Sequence, residues 1–140
     1  MNKPLIMKIN KIQPSQLYLN LKKIDTLLTN SNFKNIKKMD PIPIKNLNNQ
    51  IIFTDGHTRA YLYWKNGCKK VVVCWEDEDL DWEAYQICVN WCQDAGIKTV
   101  SDLRNRIIDN DLYQEKWINR CQKMQKKLQE KRKNKKIKIE

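Results

Sequence analysis

The sequence has no long apolar run. No segment approaches the roughly 20 apolar residues of a membrane-spanning helix, and the first residues lack the apolar stretch of a secretory signal. The composition is nevertheless not that of a disordered chain, because 41% of the 140 residues are hydrophobic and 9% are aromatic. This apolar content is enough for one folded domain with its own core. We expect a soluble, cytoplasmic protein without a membrane partner.

Metal-binding residues are also scarce. There is one histidine, His57, and the five cysteines include no Cys-x-x-Cys pair. A structural zinc site needs four ligands, and His57 lies in a motif away from the cysteines. We therefore expect free thiols in a reducing cytoplasm, packed as small apolar side chains.

Positive charge is abundant but unevenly distributed. The net charge is +11 and the sequence pI is about 9.5. Residues 1–75 carry 13 Lys/Arg and 3 acids, residues 76–119 carry 4 and 11, and residues 120–140 carry 10 and 2. Two basic blocks thus flank an acidic one, so the chain can attract phosphate at two places or neutralise itself by packing one block on another.

The first half of the chain predicts a small mixed sheet with helices. Apolar and β-branched patterns favour strands at 7–12, 42–44, 50–54 and 71–75, and helices at 17–30 and 58–66. Asn46 to Asn49 have the composition of a hairpin turn. Pro43 favours an edge position for its strand, whereas the run Val71–Trp75 favours a central one.

The second half predicts helices at 81–95, 100–108 and 111–130. Acidic residues precede the first of them and Thr99 is a cap candidate for the second. The predicted organisation is an α+β domain over residues 1–75, a helical extension packed on it over 76–130, and a disordered basic tail over 131–140. A helix-turn-helix that reads DNA is disfavoured because residues 76–119 are acidic.

The most informative motif is Asp55-Gly56-His57-Thr58-Arg59, between a predicted strand and a predicted helix. A glycine lets backbone approach a ligand, the first N–H groups of a helix attract anions, and an arginine one turn in adds a bidentate contact. Asp55 is a candidate for holding Mg²⁺ or acting as a base, and His57 for binding phosphate or moving a proton. The simpler alternative is that Asp55 caps the helix, Gly56 makes the turn, and His57 and Arg59 are solvated.

Several segments, in order, resemble the ParB/sulfiredoxin superfamily: residues 11–18 with Pro14-Ser15, residues 41–44, residues 51–60 with the motif above, and residues 67–73. The resemblance covers about residues 5–75. It implies a cradle for ATP, ADP or CTP at Gly56, His57, Thr58 and Arg59. Combined with the loop chemistry above, we expect Asp55 and His57 as the catalytic candidates and Mg²⁺ at Asp55.

The loop is most similar to the Asp-Gly-His-His-Arg loop of the free serine kinases in this superfamily. It departs from that loop at Thr58, and no acid before Asp25 stands where those kinases have an early catalytic carboxylate. Sulfiredoxins have their reactive cysteine where this chain has His57, so reduction of a sulfinic acid is not expected. Partition-type ParB proteins have a more basic loop.

Two main function classes stay open. The first is a phosphotransferase acting on a small hydroxylated substrate, or a nucleotide hydrolase, at residues 55–59; binding without turnover belongs with it. The alternative is a non-enzymatic, partition-like DNA-binding accessory protein that uses its basic half and basic tail. A protein-interaction module using the acidic helices is a third possibility.

Overall fold

The computed structural model describes residues 3–30 and 40–139 and has an α+β fold. The strands are β1 (Leu5–Lys8), β2 (Leu19–Asn20), β3 (Ile42–Leu47), β4 (Gln50–Phe53), β5 (Lys70–Trp75) and β6 (Ile107–Ile108). The helices are α1 (Leu21–Asn30), α2 (His57–Lys65), α3 (Trp82–Asp94), α4 (Asn110–Tyr113) and α5 (Asn119–Ile139). Within the described ranges, no helix is both long and apolar enough to cross a membrane.

The main sheet has the order β1-β5-β3-β4. β5 lies antiparallel to β1 and parallel to β3, and β3 forms an antiparallel hairpin with β4. The hairpin turn is Asn48-Asn49, both with positive φ, as expected for a two-residue turn that matches the twist of the strands. The prediction of a central, buried strand at 71–75 is confirmed, because β5 is interior and Val71 and Val73 are fully buried.

The predicted edge position of Pro43 is wrong, because β3 lies between β5 and β4. Proline lacks an N–H, so of the two backbone hydrogen bonds that a strand pair exchanges, Pro43 and Thr54 keep one, from Thr54 N–H to the Pro43 carbonyl at 3.1 Å. The Thr54 carbonyl instead accepts from the Tyr85 hydroxyl of α3, at 2.9 Å. A side chain from the helical half thus supplies the hydrogen bond that the proline cannot.

Elements near residues 9, 17 and 100 also differ from the sequence prediction. The helix predicted at 17–30 begins only at Leu21, after strand β2. The first strand ends at Lys8, and Ile9–Lys11 form a 3-10 turn. The predicted helix 100–108 is a 3-10 turn, Val100–Leu103, followed by strand β6. A capping box between Thr99 and Asp102 stabilises that single turn, and Ile107 then pairs with Leu19 in a short parallel sheet.

Over the residues for which the sequence predicts a disordered tail, 131–140, α5 continues to Ile139, and Glu140 lies outside the described residues. The reason is compositional: Lys, Arg, Gln and Glu are good helix formers and no Gly or Pro interrupts the run. A π-helical turn, Gln114–Ile118, joins α4 to α5.

The helical half packs on the first half of the chain. Buried Gln13 donates to the Ile97 carbonyl at 2.8 Å, and Arg106 donates to the Leu17 carbonyl at 2.7 Å. Side chains from both halves share one hydrophobic core, among them Trp117, Met124 and Leu128 of the C-terminal helical region. The two halves therefore share one core, and residues of the second half pack beside the loop that follows β4.

Candidate functional site

The loop after β4 turns at Gly56, the residue that precedes α2. Gly56 has φ +73° and ψ +21°, the left-handed conformation that favours glycine. A Cβ at this position would lie 2.9 Å from Ile42 Cγ2 and 3.0 Å from a terminal nitrogen of Arg59. The loop therefore requires glycine for both conformation and space.

Arg59 folds back over the start of α2. A terminal nitrogen of its guanidinium would lie 3.0 Å from a Cβ at Gly56, and Nη1 donates to the Asp40 carbonyl at 3.2 Å. Within the described part of the chain, Arg59 has no carboxylate within ion-pair distance. The first hydrogen bond within α2 runs from Ala60 N–H to the Gly56 carbonyl, so the N–H groups of residues 57–59 precede the helical ladder.

His57 is a buried, neutral imidazole. Its Nε2 accepts the Ser15 N–H at 2.9 Å, and because a backbone N–H only donates, the proton of the ring is on Nδ1. Burial lowers the pKa of His57 to about 4, and the nearby carboxylate of Asp55 opposes this shift only in part. Nδ1 is buried and has no hydrogen-bond partner among residues 3–30 and 40–139. An N–H donor without an acceptor is thus left at the start of α2.

The His57 side chain forms part of the wall of a cavity of about 200 Å³. Ser15, Thr54 and Tyr85 contribute polar atoms, while Cys88, Trp117, Cys121 and Met124 come from the helical half. The Ser15 hydroxyl donates to the Phe53 carbonyl at 2.7 Å and lies 3.4 Å from His57 Nε2. This volume accommodates a small group rather than a whole nucleotide, since drug-sized ligands occupy about 300 Å³ or more.

The other two residues of the motif differ sharply in exposure. Asp55 is exposed and makes no hydrogen bond or ion pair with the residues that the structure describes, and the N-cap position of α2 is Gly56. The interpretation of Asp55 as a helix cap is therefore wrong. Thr58 is 2% exposed and belongs to the buried face of α2. A direct contact of the Thr58 hydroxyl with a ligand would need movement of the loop.

His57 and Arg59 contact different parts of the protein. His57 faces Ser15 and the cavity, whereas Arg59 contacts Asp40 and covers Gly56. Residues two apart on a helix project in roughly opposite directions, which explains the separation. The Arg59 and His57 side chains therefore do not form one compact cluster, and the exposed Asp55 precedes α2 near His57.

Sequence patterns did not reveal Tyr85, Cys88 and Cys121 as cavity residues. The helical periodicity predicts that these residues lie on the inward faces of α3 and α5. It does not predict which part of the sheet each face packs against. The sequence points to Ser15 only through the Pro14-Ser15 pair of the family resemblance. Its N–H, which fixes the His57 tautomer, becomes visible only in the fold.

The two cavity thiols, Cys88 of α3 and Cys121 of α5, shift each other's pKa in opposite directions. A hydrogen bond with Cys121 and burial both raise the pKa of Cys88, and the same hydrogen bond lowers the pKa of Cys121. All five cysteines are free thiols. Among the described residues, no group of three or more histidine, cysteine or acidic side chains is arranged to hold a metal ion.

No family model and no curated protein matches the chain. Among solved structures, the chain is similar to the protein Atu1540 from Agrobacterium tumefaciens, with 12% sequence identity and a TM-score of 0.48. The match covers 74% of this chain and 62% of that protein, so the chain spans less than two thirds of that neighbour's length. A likeness of this size does not bear on function.

Proposed function

We propose that the protein binds a nucleoside phosphate, ATP, ADP or CTP, at the loop from Asp55 to Arg59. The observation that carries the proposal is Arg59, a cation without a carboxylate partner among the described residues, lying over the left-handed Gly56 at the start of α2. The helix dipole and the N–H groups of residues 57–59 add to the attraction for an anion. The phosphate lies against Gly56 and Arg59.

The remaining residues of the loop have different roles in this proposal. Asp55 is an exposed carboxylate beside the phosphate and holds Mg²⁺ or acts as the base in phosphoryl transfer to a small hydroxylated molecule or to water. Thr58 contributes its backbone N–H, because its side chain is buried. The chain has no early acid before Asp25, so binding without turnover is the minimal form of the function.

His57 acts as a hydrogen-bond donor rather than as a general base. Its Nε2 lone pair is already engaged by the Ser15 N–H, and its Nδ1–H has no acceptor among the described residues. Because Nδ1 is buried and the ring faces Ser15 and the cavity, its donation to a ligand oxygen needs a movement of the loop. The low pKa of about 4 keeps the ring neutral at physiological pH, so its contribution is a directed donor and not a charge. We place the protein in a reducing cytoplasm, consistent with its five free thiols.

Calorimetric titration with ATP, ADP and CTP, each with and without Mg²⁺, tests the function. Arg59→Ala should weaken binding about tenfold or more, as expected for loss of a charge-assisted phosphate contact. Arg104→Ala is the matched control, because Arg104 also donates to one carbonyl, that of Ser101, but lies outside the loop. Equal affinities of the two variants, or no heat with the wild type, would contradict the proposal.

Asp55→Asn separates metal binding from phosphate binding. We expect the Mg²⁺-dependent part of the affinity to disappear while binding without Mg²⁺ persists, because the substitution removes a charge and keeps the shape. Phosphate release, measured with and without serine as a hydroxylated acceptor, then reports turnover. If Asp55→Asn leaves both the Mg²⁺ dependence and any turnover unchanged, Asp55 has neither role.

A further inference from the structure

A second recess lies between α3 and α5, on the helical half of the molecule. It has a volume of about 360 Å³, and its apolar floor is formed by Ile87, Trp91, Met124 and Leu128. The two helices run antiparallel there, because Arg120 near the start of α5 lies over Trp91, whereas Arg132 bonds to Asp81 and Glu83 at the start of α3. We call this recess the α3/α5 groove.

One rim of the α3/α5 groove is basic. Its cations are Arg120, Lys123, Lys127 and Lys131, all exposed. Their spacing of three, four and four residues places them along one face of α5 over about 16 Å, at 1.5 Å per residue. The groove therefore combines an apolar floor with a row of charges at helical spacing.

The rim cations are not neutralised by the described residues of this chain. The ion pairs of α5 are made by Arg132, beyond the groove, with Asp81 and Glu83. The guanidinium of Arg120 lies 4.1 Å from the centre of the Trp91 ring, a cation–π contact that leaves its N–H edge available for a carboxylate. The surface is complementary to a partner that is both apolar and acidic.

We propose that the α3/α5 groove binds an acidic amphipathic helix of a partner protein. Such a helix covers the apolar floor with one face and places carboxylates at matching i, i+3 and i+4 spacing opposite the rim, the helix-in-groove mode of recognition. A nucleic acid backbone would satisfy the rim but leave the Ile87 and Trp91 side of the groove uncovered. This surface is separate from the residues of the Asp55 to Arg59 loop.

The test uses the full chain and two fluorescein-labelled 18-residue peptides of identical composition. In the first, leucines recur at helical spacing and are flanked by glutamates; in the second, the same residues are scrambled to remove the amphipathic pattern. Fluorescence anisotropy at 150 mM salt should give binding of the first peptide about tenfold or more tighter than that of the second. Equal affinities would overturn the proposal.

Protein variants locate the binding surface. The double substitution Lys123→Glu/Lys127→Glu reverses two charges on the rim, and Lys133→Glu/Lys135→Glu makes the same charge change on the same helix outside the groove. We expect the rim variant to lose about tenfold or more in affinity and the control less than about threefold. Equal losses would show a general charge effect and overturn the proposal.

A floor substitution tests the apolar part without relying on charge. Ile87→Ser, at a partly exposed position, should weaken binding by about threefold or more while circular dichroism shows unchanged helix content. Unlabelled single-stranded DNA of 18 nucleotides and anionic vesicles are added as competitors. Either of them displacing the peptide more effectively than unlabelled peptide does would overturn the assignment to a protein helix.

Discussion

Gly56 is the residue at which the loop depends most on the absence of a side chain. Its positive φ alone does not distinguish it, since Gly96 has φ +78° against +73° for Gly56. The difference is the space around each residue. Apart from its two flanking residues, no described atom would lie within 4 Å of a Cβ on Gly96, whereas a Cβ on Gly56 would lie 2.9 Å from Ile42 Cγ2. Comparing substitutions at Gly96 and Gly56 therefore separates the cost of backbone strain from the cost of crowding by neighbouring side chains.

We expect Gly96→Ala to cost about 1 kcal/mol of stability, from backbone strain alone. Gly56→Ala should cost at least about 1 kcal/mol more, because the buried Ile42 side chain or Arg59 must move. Chemical denaturation of the two variants and the wild type measures both values. Equal losses would mean that Ile42 and Arg59 yield without cost, and the tight packing of the loop would be disproved.

His57 links stability to pH because it is the one histidine of the chain. Its folded pKa of about 4 lies below the unfolded value of 6.5, so the unfolded state binds the proton more readily. The contribution of neutral His57 to the free energy of unfolding is therefore fully present above pH 6.5 and is lost as the pH falls toward 4. The full difference corresponds to about 3 kcal/mol.

The expected result is a free energy of unfolding that decreases between pH 6.5 and pH 4.5 in the wild type. His57→Gln keeps a polar side chain of similar reach but does not titrate, so its stability should be nearly flat between pH 6.5 and pH 5.5. Urea denaturation at several pH values compares the two proteins. Parallel curves would show that His57 is not buried as a neutral ring.

At the scale of elements, the hairpin and α2 were predictable because their signals are local. Asn48-Asn49 tolerate positive φ, and Gly67 ends α2 at the predicted place with φ +90°. The interior position of β3 was not, because the Thr54 carbonyl opposite Pro43 accepts from the Tyr85 hydroxyl, which belongs to a helix 31 residues after Thr54. Sequence rules for proline describe the strand pair and do not include such a distant donor.

The segment from Val100 to Ile108 illustrates the same limit. Its apolar residues fit a helical period, but the Thr99/Asp102 capping box closes only one 3-10 turn, and pairing of Ile107 with Leu19 draws the chain into a strand. Two-residue parallel pairing is a tertiary contact and leaves no periodic signal. Likewise, the loop motif predicted which residues stand at the start of α2, but not that His57 and Arg59 would separate.

Asp81 connects two elements, α3 and α5. Its carboxylate caps α3 by accepting the Ala84 N–H at 3.2 Å, and it also binds Arg132 at 2.9 Å, a contact that holds the pKa of Asp81 below its usual range. Asp109 offers a matched cap without a basic partner among the described residues, since it accepts the Leu112 N–H at 2.8 Å. Substitutions at the two aspartates therefore distinguish the cap from the ion pair.

Asp81→Ala and Asp109→Ala should each cost about 1 kcal/mol of helix stability through loss of the cap. Asparagine keeps the cap, so Asp81→Asn should retain most of the stability. It should nevertheless speed amide hydrogen exchange over residues 129–136, because Arg132 loses its ion pair with Asp81. Asp109→Asn should leave that exchange unchanged. Unchanged exchange in Asp81→Asn as well would show that the ion pair does not order this part of α5.

At the scale of the whole molecule, the two halves cannot be treated as separate modules. The cavity beside His57 has one wall from Ser15 and Thr54 and the other from Cys88, Trp117 and Cys121. Trp117 is buried and its ring packs edge-to-face on Trp91. The candidate site within residues 1–75 is therefore completed by the helices that follow them.

The net charge of +11 indicates a partner only when the positions of its cations in the fold are known. Exposed cations at Lys131, Lys133, Lys135 and Lys136 favour nucleic-acid binding as the second candidate function. Removing residues 120–140 would not test it cleanly, because Met124 and Leu128 belong to the core. The triple substitution Lys133→Glu/Lys135→Glu/Lys136→Glu leaves the core intact and changes only exposed charges.

We expect wild-type protein to bind duplex DNA at about 50 mM salt and to lose this binding by about 200 mM, because phosphate neutralisation without base contacts is steeply salt-dependent. Each cation that contacts a phosphate contributes about 0.9 to the slope of log affinity against log salt, so removing three should lower the slope by up to about 2.7. The same variant should bind ATP as the wild type does, since Arg59 and Gly56 are unchanged. Fluorescence polarisation over a salt series measures the slope. Tight DNA binding that persists at 200 mM salt would reverse the order of the two functions and make the loop a structural feature.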